Sequence, residues 1–142
     1  MAVQLVRQRH GNDCGAAALA TVLHAHGDAA VGDVLAATLQ NRRGSTLAEL
    51  ARVARTYGLE ALGWTVSYEQ ISSLPLPAVA HLGIVARGHF VVILEWSPSG
   101  VVVGDPARGR RILNRKRFCR RWSGHILTMT RPGRAGSAAS IG

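Results

Sequence analysis

The feature that most constrains this chain is a change of hydrophobic period near residue 58. Before it, apolar and small residues recur at helical spacing; after it, β-branched and aromatic residues come in short runs between turn residues. Asp13 can cap a first helix whose apolar and small residues run through Ala16, Leu19, Ala20, Val22 and Leu23 to a stop at Gly27. A second helical pattern covers residues 31–39. Thr46-Leu-Ala-Glu49 is a capping box, the spacing of Leu47, Leu50, Ala51 and Ala54 predicts a third helix, and Gly58 closes it. Strands are predicted over residues 60–66, 78–82, 90–96, 101–104 and 125–130, with Ser97-Pro98-Ser99-Gly100 as a turn. Helices first and an antiparallel sheet afterwards make the expected class α+β, with the N-terminal helices packed on the sheet.

A chain of 142 residues has room for one domain of ordinary size. The expected division is a domain over residues 1–130 and a flexible tail or linker over 131–142, where the composition falls to Gly, Ala, Ser and Arg. At 47% hydrophobic and 18% charged, the chain can bury a core, which excludes disorder as a global description. No apolar run reaches the ~18 residues of a membrane span, because His81 and two prolines interrupt the most apolar stretch, Leu74 to Ala86. The N-terminus has no apolar segment of the kind that begins a secretory signal, so the expected compartment is intracellular. Cys14 and Cys119 are too few for a disulfide framework and lack the spacing of a zinc site. Seventeen Lys and Arg against eight Asp and Glu give a net charge of +9, which points to an acidic partner without saying which kind.

The chemistry concentrates in a few residues. Cys14 falls in the first turn of the first helix, where unpaired amides and the positive end of the helix dipole favour thiolate over thiol. A thiol nucleophile also needs a base that can later donate a proton, an orienter for that base, and donors for the oxyanion. His89 opens a strand in His89-Phe-Val-Val-Ile-Leu94, and Asp105 ends the next in Val101-Val-Val-Gly-Asp105. If residues 96–100 form a five-residue hairpin loop, Val91 lies opposite Asp105 and His89 is its diagonal neighbour on one face. A four-residue loop would put the two side chains on opposite faces. Taken singly, each residue also has a plain structural role: a small buried thiol, a satisfied strand histidine, a turn-forming Asp before Pro, an exposed Gln8. His10, His24, His26, His81 and His125 are read as polar or capping residues, since no thiol pair or acidic cluster accompanies them.

Jointly these segments resemble the double-glycine leader peptidases, papain-like cysteine peptidases best known as a cytosolic domain of bacterial ABC exporters that mature bacteriocins and peptide pheromones. The resemblance runs from about Val3 to Thr130. It is carried by Gln8 with Asp13-Cys14-Gly15, by Leu76-Pro77-Ala78-Val79-Ala80-His81-Leu82 with His89-Phe90-Val91-Val92, and by Asp105-Pro106-Ala107-Arg108-Gly109 with Phe118 and Trp122-Ser123-Gly124 downstream.

The resemblance implies a papain-like fold with Cys14 as nucleophile, His89 as general base and acid, Asp105 as orienter and Gln8 as oxyanion donor. It implies cleavage after a Gly-Gly motif through a thioester on Cys14, with neither metal nor organic cofactor. The implied partners are a precursor peptide with an acidic helical leader and the membrane and ATPase domains of an exporter, at the cytosolic face of the inner membrane. Such an exporter could carry this domain, or the chain could stand alone. Two other readings share some of these features: a leader-docking module that does not cleave, and a nucleic-acid-binding domain built on the basic segment Arg108 to Arg121, which holds eight cations and no acid. Against nucleic acid, aromatic residues in that segment and beside it are few. Cys119, within the segment, is expected to be a buried small residue.

Overall fold

A computed structural model describes residues 14–25, 46–83 and 89–130. Helix α1 spans Cys14–Ala25 and α2 spans Leu47–Thr56; strand β1 is Glu60–Thr65, followed by a 3-10 turn at Glu69–Ser73. Then come β2 (Ala78–Leu82), β3 (His89–Ser97), β4 (Gly100–Asp105), β5 (Gly109–Asn114), a short helix α3 (Arg115–Arg121) and β6 (Trp122–Thr130). The helix expected over 31–39, the cap at Asp13 and the tail over 131–142 lie outside the described residues. The expected α+β order is what the chain adopts.

The six strands form one antiparallel sheet in the order β1-β6-β2-β3-β4-β5. Both faces of its centre are covered, which is why β2 is buried at every position and reads as an unbroken apolar run. One face takes α1 and α2: Leu19, Val22, Leu23, Leu50 and Ala54 pack on Val79, Phe90, Val92 and Leu127. The other takes the 3-10 turn and α3, with Tyr68, Ile71 and Phe118 over Val91, Ile93, Val103 and Ile126. Helix α1 shows no polar stripe. Residues 17–23 are fully buried, and the one hydroxyl among them, Thr21, donates to the Ala17 carbonyl at 3.0 Å.

The capping box at α2 is formed as its sequence predicts. The Glu49 amide donates to Thr46 Oγ1 at 3.1 Å, and the Thr46 amide donates to Glu49 Oε1 at 3.0 Å. At the other end Gly58 adopts φ +81°, the Gly58 amide donates to Arg55 and the Leu59 amide to Ala54, the paired bonds of a Schellman stop.

Three expectations are corrected. Residues 109–121 are not simply a basic segment: they form edge strand β5 and helix α3. In β5 only Gly109 and Leu113 are buried, so its arginines hide the alternation that would have announced a strand; cations on an edge strand also discourage pairing with another chain. Helix α3 is seven residues long, started by Asn114 Oδ1 accepting from the Arg117 amide at 2.8 Å and anchored by Phe118 alone. Cys119, next to that anchor, is exposed rather than buried. Finally, the β3–β4 turn is shorter than five residues. Ser97 pairs with Gly100, leaving Pro98 and Ser99 as the loop, and the register then shifts between Ile93 and Glu95 so that Leu94 is an extra residue.

Candidate active site

The bulge at Leu94 decides which side chains meet. A two-residue turn continued without a bulge would pair Val92 with Asp105 and turn His89 to the opposite face from that carboxylate. With the bulge, Val92 pairs with Gly104 and the next position brings Val91 level with Asp105. His89 is then the diagonal neighbour, the relation expected from a five-residue loop and reached here by a different route.

His89 Nε2 lies 2.8 Å from Asp105 Oδ1. Asp105 ends β4 and begins the turn to β5. Its Oδ1 also accepts the Ala107 amide at 2.8 Å and the Arg108 amide at 3.3 Å, while its own carbonyl accepts the Arg108 amide at 3.1 Å. Pro106 suits the second position of that turn, and Gly109 closes it at φ +91°, a conformation costly for any side chain. The Asp-Pro-Ala-x-Gly pattern is therefore a turn that holds one carboxylate still. Arg111 Nη1 stands 4.0 Å from the second oxygen, Oδ2.

Asp105 is 5% exposed. Burial pushes its carboxyl pKa up, but the His89 hydrogen bond, the two turn amides and the charge on His89 together outweigh that and hold it below the ordinary 3.8. An ionised carboxylate only accepts, so His89 Nε2 carries the hydrogen and, in the neutral ring, Nδ1 carries the lone pair. The pair thus fixes the tautomer of an imidazole that is 30% exposed.

Cys14 is the first residue of α1, the position at which helix amides favour a thiolate. Its side chain and the whole of Gln8 lie outside the described residues, so the structure directly brings together His89 and Asp105. Sequence reasoning missed the two turn amides, whose signal was the Pro-Ala-x-Gly spacing, and Arg111, which had none. Phe118 and Trp122 stack at 5.3 Å behind the site.

Of the other histidines, His10 and His26 lie outside the described residues, and His24, His81 and His125 stand apart from the pair. His81 is buried edge-on to Phe90, and burial, followed by the nearby His125, lowers its pKa. His125 Nδ1 lies 3.1 Å from the Thr65 hydroxyl, and His24 is exposed at the end of α1. Among the described residues no three His, Cys, Asp or Glu gather as a metal site, and no helix is long and apolar enough to cross a membrane.

With this geometry in hand, comparison with known proteins is decisive: a family model described as the peptidase C39 family matches residues 2–133. The chain belongs to that family. Within the C39 peptidases and their structural relatives, it is similar over 90% of its length to a double glycine motif protease from an AMS/PCAT transporter, crystallised with the leader peptide (28% identity, 91% of that chain, TM-score 0.80). It shares the fold of the peptidase domain of Streptococcus ComA, a bi-functional ABC transporter (22% identity, 92% of this chain and 99% of that one, TM-score 0.81). It is also 30% identical, over 138 residues, to the "probable functional amyloid protease FapD" of Pseudomonas aeruginosa. That alignment takes in 91% of this chain, which spans only 61% of the length of that relative. The resemblance read from the motifs is thereby borne out at the level of family and fold.

Proposed function

We propose that the chain is a cysteine peptidase that removes the leader of a precursor peptide after a Gly-Gly motif. The observation that carries the reading is the 2.8 Å contact between His89 Nε2 and an Asp105 carboxylate immobilised by its own turn. It supports a base poised on Nδ1, and the placement of Cys14 at a helix start supports a thiolate for that base to serve.

In this mechanism Cys14 sulfur attacks the carbonyl carbon of the second glycine, and Gln8 with a backbone amide takes up the developing oxyanion. The carbon–nitrogen bond breaks as His89 Nδ1 gives the departing amine the proton it took from the Cys14 thiol. Water, deprotonated by His89, then hydrolyses the thioester to release the leader carboxylate and restore the thiolate. Asp105 holds the ring and stabilises its charged form throughout.

Similarity to a protease solved with a leader peptide supports this class of substrate. The accompanying reading places the protein on the cytosolic side of an exporter, with an acidic helical leader docked on it. Similarity to the amyloid protease favours a second substrate class, an amyloid-related protein, to be tried in the same assay.

The test is incubation with a precursor whose leader ends in Gly-Gly, followed by mass spectrometry. A single cut after Gly-Gly is expected, lost in Cys14→Ala while leader binding persists, and nearly lost in His89→Ala. Binding without any cut by the native protein, and no alkylation of Cys14 near neutral pH, would make it a docking module instead.

A further inference from the structure

On the sheet face away from α1, a cavity of about 290 Å³ begins at the His89–Asp105 pair and extends between β3–β5 and α3. Beneath it lies the packed core, where Val91, Val103, Leu113 and Phe118 are each 8% exposed or less. The rim of the cavity is cationic. Arg108 comes from the β4–β5 turn, Arg111 from β5, and Arg117 and Arg121 from α3, where a spacing of four residues puts them on one side of the helix.

Among the described residues that line this cavity, Asp105 is the sole carboxylate, and one of its oxygens already accepts three hydrogen bonds. Four guanidinium groups around one opening are complementary to a ligand that carries several carboxylates, since the guanidinium fork matches a carboxylate in shape as well as charge. A lipid surface would offer anionic groups to the rim but no scissile bond to His89, which lines the same cavity. A peptide segment offers both.

The position relative to His89 says which segment. A general acid must reach the nitrogen that departs, so the leaving half of the substrate lies on the His89 side of the scissile bond. The cavity starts at His89 and runs on from it, and an extended chain advances ~3.3 Å per residue, so the first few residues after the cut come within its reach. We infer that this cavity binds the N-terminal segment of the released peptide and selects Asp or Glu in it. The inference rests on the peptidase reading and makes Arg108, Arg111, Arg117 and Arg121 determinants of specificity on the leaving side, apart from whatever recognises the leader.

Two measurements test it. The first compares cleavage of two precursors that share one leader and differ only in residues 1–4 after Gly-Gly, Leu-Glu-Glu-Ser against Ser-Lys-Lys-Ser, in the native protein and in R117E/R121E and R117Q/R121Q. The second follows, by fluorescence anisotropy, binding of a labelled leader-free peptide beginning Leu-Glu-Glu-Ser. The native protein is expected to favour the acidic precursor by roughly tenfold in kcat/KM, the Gln variant to lose most of that preference and the Glu variant to reverse it. The labelled peptide should bind the native protein and not the Glu variant. Equal cleavage of both precursors by the native protein, or a preference unchanged in the variants, would overturn the inference. So would a variant that loses only its binding to phosphatidylglycerol vesicles, which would assign the arginines to a membrane. If the native protein binds the labelled peptide but cuts neither precursor, the cavity stands and the peptidase reading fails.

Discussion

At the scale of single residues, Asp105 does two jobs that separate by mutation. It orients His89, and it satisfies the Ala107 and Arg108 amides of its own turn. Asp105→Asn keeps an oxygen for all three donors but removes the charge, so the fold should hold while kcat falls. Asp105→Ala also takes the Oδ1 acceptor away from the turn amides and should cost about 1–3 kcal/mol in urea unfolding. The pH dependence follows from the same carboxyl. Its folded pKa is depressed below 3.8, so its stabilising contribution is present above that value and is lost as pH falls through it toward the folded pKa. The urea midpoint of the native protein should therefore drop more steeply than that of Asp105→Asn between about pH 5 and pH 3; parallel curves would show that Asp105 is not the group responsible. Gln8→Ala is expected to lower turnover by roughly 10² to 10³ with little change in KM, as for loss of one oxyanion donor. A variant that turns over normally would leave that task to backbone amides.

At the scale of elements, the β3–β4 hairpin is the part that aligns the pair. Leu94 is the residue the bulge absorbs, and its side chain packs only partly into the core beneath α1. Deleting Leu94 should regularise the ladder, with Ile93 against Val103 and Glu95 against Val102 as now, and keep His89 diagonal to Asp105. Activity should stay within about tenfold of native, with a stability loss of about 1 kcal/mol from the missing side chain. A folded deletion variant without activity would show that the bulge does more than take up one residue. The turn after β4 behaves differently: there loop, carboxylate and Gly109 act as one unit, and its spacing is readable in sequence because Asp, Pro and Gly each have one backbone preference.

At the scale of the whole molecule, a net charge of +9 is spread unevenly, with eight cations between Arg108 and Arg121. They are not equivalent. Arg115 is held by an ion pair with Glu69 and stacks over Tyr68 at 4.8 Å, so it belongs to the structure of the 3-10 turn and α3. Arg110, Lys116 and Arg120 are exposed. Exposed charges act through a field screened beyond about 10 Å at 0.1 M salt, which speeds encounter more than it tightens contact. Reversing Arg110, Lys116 and Arg120 to Glu should lower kcat/KM for an acidic precursor several-fold at low salt and leave kcat unchanged. The native and variant values should converge as salt rises. A kcat/KM independent of salt in the native protein would remove steering from the account.

Class was legible in the amino-acid sequence alone because it rests on local rules, such as the period of α2 with its capping box and glycine stop and the buried run of β2, while family was legible through a resemblance carried by motifs such as Asp105-Pro-Ala-x-Gly109. Cys14, His89 and Asp105 could be nominated from the same rules, since helix starts, strand starts and tight turns each select particular residue types. The meeting of His89 with Asp105 could not be derived that way. A strand records which residues alternate, but a single extra residue reverses every face beyond it, and nothing in Val-Val-Ile-Leu-Glu-Trp marks Leu94 as that residue. Cys119 was misjudged because burial on a seven-residue helix is set by the sheet beneath it, which takes Phe118 and leaves its neighbour in solvent. The arginine rim was likewise invisible as a site, since it joins a turn, a strand and a helix that only the packed sheet brings around one cavity.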